Sequence, residues 1–208
     1  YKSDGSLDWK EEYKYDLNGN KIEDAYYNSD GILKSKVIYK YDDNENRIEE
    51  SEYKSDGSLF NKTHWKYDDN GNMIERSRYN SVGSLFDKIH WKYDENGNLI
   101  EESEYNSEES LEHKYHYKYD LNGNKIEMSR YNSEGSLFDK TYWKYDENEN
   151  LIKQEYYNSD GIMEYINRKK YDNHGNLLES THYSVKFKIG EKQEILVKCT
   201  KYEYEYYK

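Results

Sequence analysis

The sequence predicts an all-β protein, an array of antiparallel β-hairpins with a 26-residue repeat that forms a single-layer, twisted or coiled β-sheet ribbon. Three observations predict it: tyrosines that recur at a fixed interval, two turn signals in each repeat, and alternating segments without proline. The interval comes first because a repeat architecture is recognised by its period before local propensities are weighed.

Two columns of tyrosine define the repeat. Each recurs at steps of 26, so that eight units account for all 208 residues. We expect the rings of one unit to pack against those of the next, since a single unit cannot bury them alone. The first column, in Tyr-Asp dipeptides, is Tyr15, Tyr41, Tyr67, Tyr93, Tyr119, Tyr145 and Tyr171; the second is Tyr1, Tyr27, Tyr53, Tyr79, Tyr105, Tyr131, Tyr157 and Tyr183.

Two turn signals divide each unit into two strands. One is Asn-Gly and the other is Asp-Gly or a related dipeptide, and both tolerate positive φ at two successive positions, as type I′ hairpins require. Between them lie alternating segments rich in Tyr, Trp, Ile and Thr, which are typical of strands. The Asn-Gly turns are at residues 18–19, 70–71, 96–97 and 122–123, and the second set is at 4–5, 30–31, 56–57, 82–83, 134–135 and 160–161.

Charged residues predict the register of the hairpins. Folding about the second kind of turn places Arg78 opposite Asp87 and Tyr79 opposite Phe86. Each exposed charge pair contributes roughly 0.2–1 kcal/mol. The turn centres are separated alternately by 12 and 14 residues, so each hairpin slides by two residues and the sheet is expected to curl. Folding about the first kind of turn gives the pairs Lys14–Glu23, Lys40–Glu49, Lys66–Glu75, Lys92–Glu101 and Lys118–Glu127.

Alternation along the strands assigns the two faces of the sheet. It places Leu85, Ile89 and Trp91 on one face, and Phe86 and His90 on the other. A parallel solenoid with 26-residue coils is the structural alternative, although its thin interior would need small or aliphatic side chains instead of Trp, Tyr and Glu. A sheet closed on itself, in which neither end is an edge, is a second alternative.

The last unit departs from the repeat. Residues 1–183 are interpreted as seven repeats, and residues 184–208 as a divergent C-terminal capping hairpin. The latter segment lacks both Tyr-Asp and Asn-Gly, and it contains the apolar run Ile195-Leu196-Val197. We expect it to blunt an open edge of the sheet, which repeat arrays require for solubility.

Composition argues against several classes of function. The formal net charge of −12 argues against nucleic-acid binding, which needs a surplus of Lys and Arg. No apolar run approaches the roughly 20 residues of a membrane-spanning helix. Cys199 is the only cysteine, so no intrachain disulfide forms and we expect a free thiol. The chain begins without Met and in phase with the repeat, which leads us to expect a trimmed stretch of a longer protein.

One repeated phrase resembles a known family. The pattern G-x-L…Y-x-Y-D-x-N-G-N, over roughly residues 1–183, is similar to the YD repeat of the RHS family of bacterial surface proteins and polymorphic toxins. That resemblance implies a strip of β-hairpins that coils into a spiral or shell, often with tyrosines facing inward. The unit here is longer than the usual family repeat, and no toxin domain or self-cleavage motif is evident. The residues that carry the resemblance are Gly83, Leu85, Trp91, Tyr93, Asp94, Asn96, Gly97 and Asn98.

Residues that could perform chemistry are repeated and do not form one singular constellation. Asp94, Asn96 and Asn98 have the spacing with which calcium loops begin, but Gly97 stands at position four, so capping of the turn by its own side chains is the favoured interpretation. His64 and His90 share one repeat position, which favours a structural role. We therefore expect no enzyme activity, no cofactor and no metal.

An aromatic column is the sharpest functional hint. Copies two strands apart should be separated by roughly 9.5 Å, near the length of a disaccharide in an extended glycan. We expect a non-enzymatic bacterial surface or secreted protein that acts as a structural spacer or a scaffold for another protein, such as a larger surface or secretion assembly. The alternative is a polysaccharide-binding module in which this column stacks against sugars. The column is Tyr13, Tyr39, Trp65, Trp91, Tyr117 and Trp143.

Overall fold

The chain forms one open antiparallel sheet. The computed structural model describes residues 8–188 and 191–204, and within them 15 strands are hydrogen-bonded in sequence order, with β1 paired only to β2 and β15 only to β14. The predicted all-β hairpin array is confirmed, whereas the parallel solenoid and the sheet closed on itself are wrong. Tyr1 and the turn predicted at residues 4–5 lie outside the described residues.

The strands are short and regular until the last hairpin. Most have seven to nine residues, whereas β14 has 12 and β15 has 11. They are β1 (Trp9–Tyr15), β2 (Lys21–Asn28), β3 (Leu33–Tyr41), β4 (Arg47–Lys54), β5 (Leu59–Tyr67), β6 (Met73–Asn80), β7 (Leu85–Tyr93), β8 (Leu99–Tyr105), β9 (Leu111–Tyr119), β10 (Lys125–Tyr131), β11 (Leu137–Tyr145), β12 (Leu151–Asn158), β13 (Met163–Tyr171), β14 (Leu177–Lys188) and β15 (Glu191–Lys201).

The chain divides into two compact units. The first contains residues 1–93 and 103–112, and the second contains residues 94–102 and 113–208.

Both kinds of turn have the same geometry, and it is not the predicted type I′. In the turn from Asp68 to Asn72, Gly71 N donates to Asp68 O at 3.0 Å and Asp68 N donates to Asn72 O at 2.9 Å. Gly71 has a φ of +82°, whereas Asn70 is not among the residues with positive φ. This is a type I turn followed by one left-handed residue. Asn-Gly suits both turn types, so the dipeptide alone did not distinguish them.

The side chain of the first turn residue explains the Y-D-x-N-G-N phrase. Asp68 Oδ1 accepts hydrogen bonds from Asn70 N at 3.0 Å and Asn72 N at 2.8 Å, and Asp68 Oδ2 accepts one from Asn72 Nδ2 at 3.0 Å. These bonds, led by the one from the Asn72 side chain, lower the pKa of Asp68. The carboxylate therefore satisfies backbone donors that the tight turn leaves unpaired.

Four of the five predicted Lys–Glu pairs are confirmed, those of Lys14, Lys40, Lys66 and Lys118, but bulges shift the ends of the strands. Lys66 faces Glu75 and Arg78 faces Asp87, as expected. Tyr79 faces Leu85, not Phe86, because the register shifts between Arg78 and Tyr79. An extra residue in one strand of each hairpin produces this shift and leaves the charge pairs beyond it intact.

The bulge also corrects the assignment of faces. The Arg78 guanidinium lies 5.2 Å from the Phe86 ring centre and pairs with Asp87, which shares a face with Trp91 two alternations further along β7. Phe86 therefore lies on the face of Trp91, here called the tryptophan face. Leu85, opposite Tyr79, lies on the other side, the histidine face, where the Tyr79 ring contacts His64 at 5.2 Å.

A column of small residues forms the most buried line of the histidine face. Ser77, for example, is 1% exposed and stands opposite His64 on β5. Small side chains at this position leave room for the long side chains of neighbouring strands to lie over the sheet. These long side chains cover the backbone in place of an aliphatic core. The buried members of the column are Ala25, Ser51, Ser77, Ser103, Ser129 and Thr181.

Three turns place glutamate where the others have glycine, and this predicts a stabilising substitution. Glu45 has a φ of +66°, and left-handed backbone costs a residue with a Cβ roughly 1–2 kcal/mol. We expect Glu45→Gly to raise the free energy of unfolding by about 0.5–1 kcal/mol, after the greater freedom of glycine in the unfolded chain is subtracted. Urea unfolding followed by circular dichroism measures it.

Glu109 provides the matched control. It also has positive φ, at +58°, but its carboxylate is 2.6 Å from Lys88 Nζ. Glu109→Gly relieves the same strain and removes this contact, so its gain should be smaller than that of Glu45→Gly. An unchanged or lowered stability of Glu45→Gly would contradict the assignment of strain to these turns.

Candidate ligand-binding face

The predicted aromatic column lies on the tryptophan face. Its members occupy equivalent positions of alternate strands, with Tyr13, Tyr39, Trp65 and Trp91 in the first unit and Tyr117 and Trp143 in the second. Tyr13, on the edge strand β1, is 45% exposed, whereas the other five are partly buried. Ligand stacking by these six residues stays a prediction.

Cationic side chains lie between successive rings of the column. In the first unit the Arg47 guanidinium is 4.7 Å from the Trp65 ring centre and 5.6 Å from that of Tyr39. In the second unit Lys125 Nζ is 5.1 Å from the ring centres of both Tyr117 and Trp143. Cation–π attraction of this kind contributes about 0.5–1 kcal/mol at exposed sites. The spaces between these rings are therefore already filled.

In the first unit the cations beside the rings, Lys21 and Arg47, are also held by carboxylates. Lys21, which lies 5.1 Å from the Tyr13 ring centre and 5.4 Å from that of Tyr39, has its Nζ 2.8 Å from Asp24 Oδ2. Arg47 Nη1 is 2.9 Å from Glu50 Oε2. In the first unit the column is consequently a stripe of ring, cation and carboxylate. Sequence reasoning missed the cations, although Lys21, Arg47 and Lys125 share one repeat position that could have indicated them.

Burial and a nearby acid affect Tyr117 within this stripe. Burial of the ring, followed by the Glu102 carboxylate, raises the pKa of the Tyr117 hydroxyl above its ordinary value. Tyr117 Oη donates a hydrogen bond to Glu102 Oε2 at 3.3 Å. The hydroxyl is therefore protonated at neutral pH and serves as a donor.

The tyrosines of the Tyr-Asp dipeptides tie neighbouring hairpins together. Tyr67 Oη donates to the carbonyl oxygen of Arg47 at 3.0 Å, and Arg47 is the residue that follows the preceding turn of the same kind. Five further tyrosines make the same bond at 2.8–3.1 Å to the carbonyl 20 residues earlier. They are Tyr41, Tyr93, Tyr119, Tyr145 and Tyr171.

The histidine face carries a ladder of carboxylates held by lysines. Glu49 lies 3.1 Å from Lys40 Nζ, 3.4 Å from Lys62 Nζ and 3.2 Å from His64 Nε2. Partial burial acts to raise the pKa of Glu49, but hydrogen bonds from Lys40 and Ser51 outweigh it and lower that pKa. Glu75 and Glu127 repeat the arrangement. These carboxylates therefore cross-link strands.

The turn residues considered for calcium have their oxygens occupied by the turn itself. Asp94 Oδ1 accepts from Asn96 N at 2.9 Å and Asn98 N at 2.8 Å, and Asp94 Oδ2 accepts from Asn98 Nδ2 at 3.0 Å. This is the capping arrangement that the spacing favours. Within residues 8–188 and 191–204, no three His, Cys, Asp or Glu side chains are grouped so that they could hold a metal ion. The same residues contain no helix with the length and apolarity needed to cross a membrane.

Comparisons with known proteins identify similar folds at low identity. No family model matches the chain, and no curated protein matches it. Among solved structures, TcdB2-TccC3 is 14% identical with a TM-score of 0.46, and the match covers 88% of this chain and 12% of that one. The Tc holotoxin pore of Photorhabdus luminescens is 13% identical with a TM-score of 0.44, again over 88% and 12% of the two chains.

A third similar structure is a protein of unknown function from Bacteroides fragilis, 17% identical with a TM-score of 0.27, over 67% of this chain and 91% of that one. The chain spans about one eighth of the length of the Tc toxin chains that it matches. Membership of the RHS family stays a prediction.

Proposed function

We propose that the protein is a non-enzymatic bacterial surface or secreted repeat protein that acts as a structural spacer or a scaffold for another protein. One observation carries the proposal: carboxylates equivalent by the repeat are held by cations of the strands on both sides. Glu127, for example, lies 2.9 Å from Lys118 Nζ and 3.2 Å from Lys140 Nζ. Catalytic acids and bases have pKa values tuned by an environment of their own, whereas these carboxylates form ion pairs that join one strand to the next.

Polysaccharide binding is the second candidate, and the make-up of the tryptophan face favours it. Rings that are partly exposed are flanked there by Arg47 and Glu50, groups that can donate to and accept from sugar hydroxyls. The same groups fill the spaces between rings, so a glycan would have to lie along the outer edges of the stripe. The scaffold proposal requires no such ligand.

A glycan array followed by titration separates the two candidates. The scaffold proposal expects no polysaccharide to bind in the millimolar range. If one does bind, the titration is repeated with a triple variant in which Trp65, Trp91 and Trp143 are replaced by alanine, and with a control in which His64 and His90 on the opposite face are replaced. Binding that is lost in the first and kept in the second would overturn the scaffold proposal and establish the stripe as the site.

A further inference from the structure

Three repeats carry an exposed phenylalanine at the bulge of a hairpin. Phe60 and Phe86 are 50% and 62% exposed in the first unit, and Phe138 is 54% exposed in the second. All three occupy one repeat position, at which the register shift leaves an extra residue without a cross-strand partner. Exposed rings on a face that is otherwise covered by paired charges are candidates for contact with a partner.

In two of these hairpins the chain itself places a guanidinium on the ring. The Arg78 guanidinium lies 5.2 Å from the Phe86 ring centre, and its Nε donates a hydrogen bond to Asp87 Oδ1 at 2.8 Å. Arg130 repeats the arrangement at 4.1 Å from the Phe138 ring centre and pairs with the aspartate that follows this ring. We call this combination of a bulge phenylalanine, a facing arginine and the next aspartate the arginine module.

The hairpin of Phe60 lacks the arginine of this module. Glu52 occupies the repeat position of the arginine and Asn61 that of the aspartate, and the two face each other on β4 and β5. Asn61 Nδ2 donates to Glu52 Oε2 at 2.9 Å, and among the described residues Glu52 forms no ion pair. The exposed Lys54 Nζ is 5.7 Å from the Phe60 ring centre, close to the limit of about 6 Å for a cation–π contact. A carboxylate thus replaces the guanidinium beside this ring.

Glu52 and Phe60 line an open cleft on the tryptophan face of the first unit. The cleft has a volume of about 390 Å³, and Phe86 is also part of its wall. Ligand pockets range over roughly 300–1,000 Å³, so a cleft of this size suits a single side chain. Glu52 is the charged residue of the wall that has no counter-ion within the chain. The other charged residues of the wall are paired, and they are Glu50, Lys62 and Arg78.

We propose that this cleft binds an arginine side chain of a protein partner, whose guanidinium pairs with Glu52 and stacks on the Phe60 ring. The partner thereby completes the module that the chain forms by itself at Phe86. A planar guanidinium can pair with a carboxylate and stack on a ring at once, which a lysine ammonium does less well. The net charge of −12 also attracts a basic partner over distance. The site rests on the scaffold proposal and deepens it by naming the chemistry of the partner.

An NMR titration of the full chain with N-acetylarginine N-methylamide tests the site. We expect binding in the millimolar range that shifts the side-chain amide signals of Asn61 and the backbone signals of Phe60. The citrulline analogue carries a neutral urea in place of the guanidinium and should bind about threefold more weakly or worse, since it cannot form the ion pair. Equal binding of the two compounds, or no shift of these signals at millimolar concentrations of the arginine compound, would overturn the proposal.

A variant built from the chain's own module provides the second test. Glu52→Arg together with Asn61→Asp installs the residues found at Phe86, so the chain should fold and its own guanidinium should abolish binding of the arginine compound. Phe138→Ala is the matched control, since that ring already has its arginine at 4.1 Å, and it should leave binding unchanged. Binding that survives in the double variant, or that Phe138→Ala reduces equally, would overturn the proposal.

The same titration with methyl β-glucoside separates a protein partner from a polysaccharide. The sugar should leave the signals of Asn61 and Phe60 unshifted, and a sugar that shifts them while the arginine compound does not would overturn the proposal. Failure of the arginine compound overturns this site alone, because the compound tests the cleft and not the scaffold role. Failure of the scaffold proposal is detected separately, by polysaccharide binding in the glycan array.

Discussion

Replacing Ile166 with alanine is expected to lower the free energy of unfolding by about 3 kcal/mol, as large-to-small changes at fully buried sites do. Ile166 is 0% exposed, and the other buried apolar residues of the described chain are Ala25 and Met163. A sheet covered mainly by polar and aromatic side chains thus has one large, fully buried aliphatic group, on β13 between Glu155 and Tyr183. Urea unfolding followed by tyrosine and tryptophan fluorescence measures the loss.

Ile89→Ala is the comparison variant. Ile89 lies on the tryptophan face of β7 and is only partly buried, so its truncation should cost about 1 kcal/mol. Ile166→Lys is a second comparison, since all six earlier repeats have lysine at the equivalent position, Lys10, Lys36, Lys62, Lys88, Lys114 and Lys140. It should cost more than Ile166→Ala, because an ammonium group would lose its hydration there. Equal losses for Ile166→Ala and Ile89→Ala would show that burial does not distinguish the two sites.

The repeat and the charge pairs could be predicted from the sequence because each charged residue recurs in later repeats together with its partner. When Lys66 recurs as Lys118, its partner Glu75 recurs as Glu127, and both pairs are formed. The pairing of Arg78 with Asp87 likewise gave the correct register. Cross-strand partners near the middle of a hairpin must have complementary charges, and charge can be read directly from the residue types.

The ends of the strands could not be predicted, because a bulge adds a residue without changing the pairs around it. Arg78 meets Asp87 whether or not Phe86 is extra, but with the bulge Tyr79 meets Leu85, and the side chains of Leu85 and Phe86 exchange faces relative to simple alternation. The turn type was missed for a related reason: Asn70-Gly71 is compatible with one or two left-handed residues, and the Asp68 carboxylate decides between them.

The sequence predicted where the rings of the aromatic column lie, but not which side chains surround them. Its spacing follows from the period, whereas the cations between its rings come from residues that follow each turn, and the bulge determines where these stand. Tyr41 faces Arg47 at the end of the hairpin, and Arg47 extends over Tyr39 and Trp65. A repeat position occupied by Lys21, Arg47 and Lys125 in some units and by Met73 in another gave only a faint signal.

Removing the last strand should destabilise the chain far more than removing the first. Deletion of residues 189–208 removes β15 and its pairing along ten residues of β14. It also removes Glu194, which hydrogen bonds from Arg168 hold at a pKa of about 2, and the bond from Tyr204 Oη to Leu177 O at 3.1 Å. Deletion of residues 1–20 removes β1, whose seven residues are all exposed, together with the interstrand ion pair Lys14–Glu23 at 2.8 Å.

We expect deletion of residues 189–208 to lower the melting temperature by about 10 °C, the equivalent of about 3 kcal/mol. Deletion of residues 1–20 should lower it by about 3 °C. Loss of β15 also leaves the 12-residue strand β14 as an unpaired edge. This exposed edge should cause aggregation. Circular dichroism melting and size-exclusion profiles measure both effects. The register shifts between His182 and Tyr183, so β15 carries a bulge, whereas its deletion would expose β14, which is the longer strand. Equal tolerance of the two deletions would therefore contradict a capping role for the C-terminal hairpin.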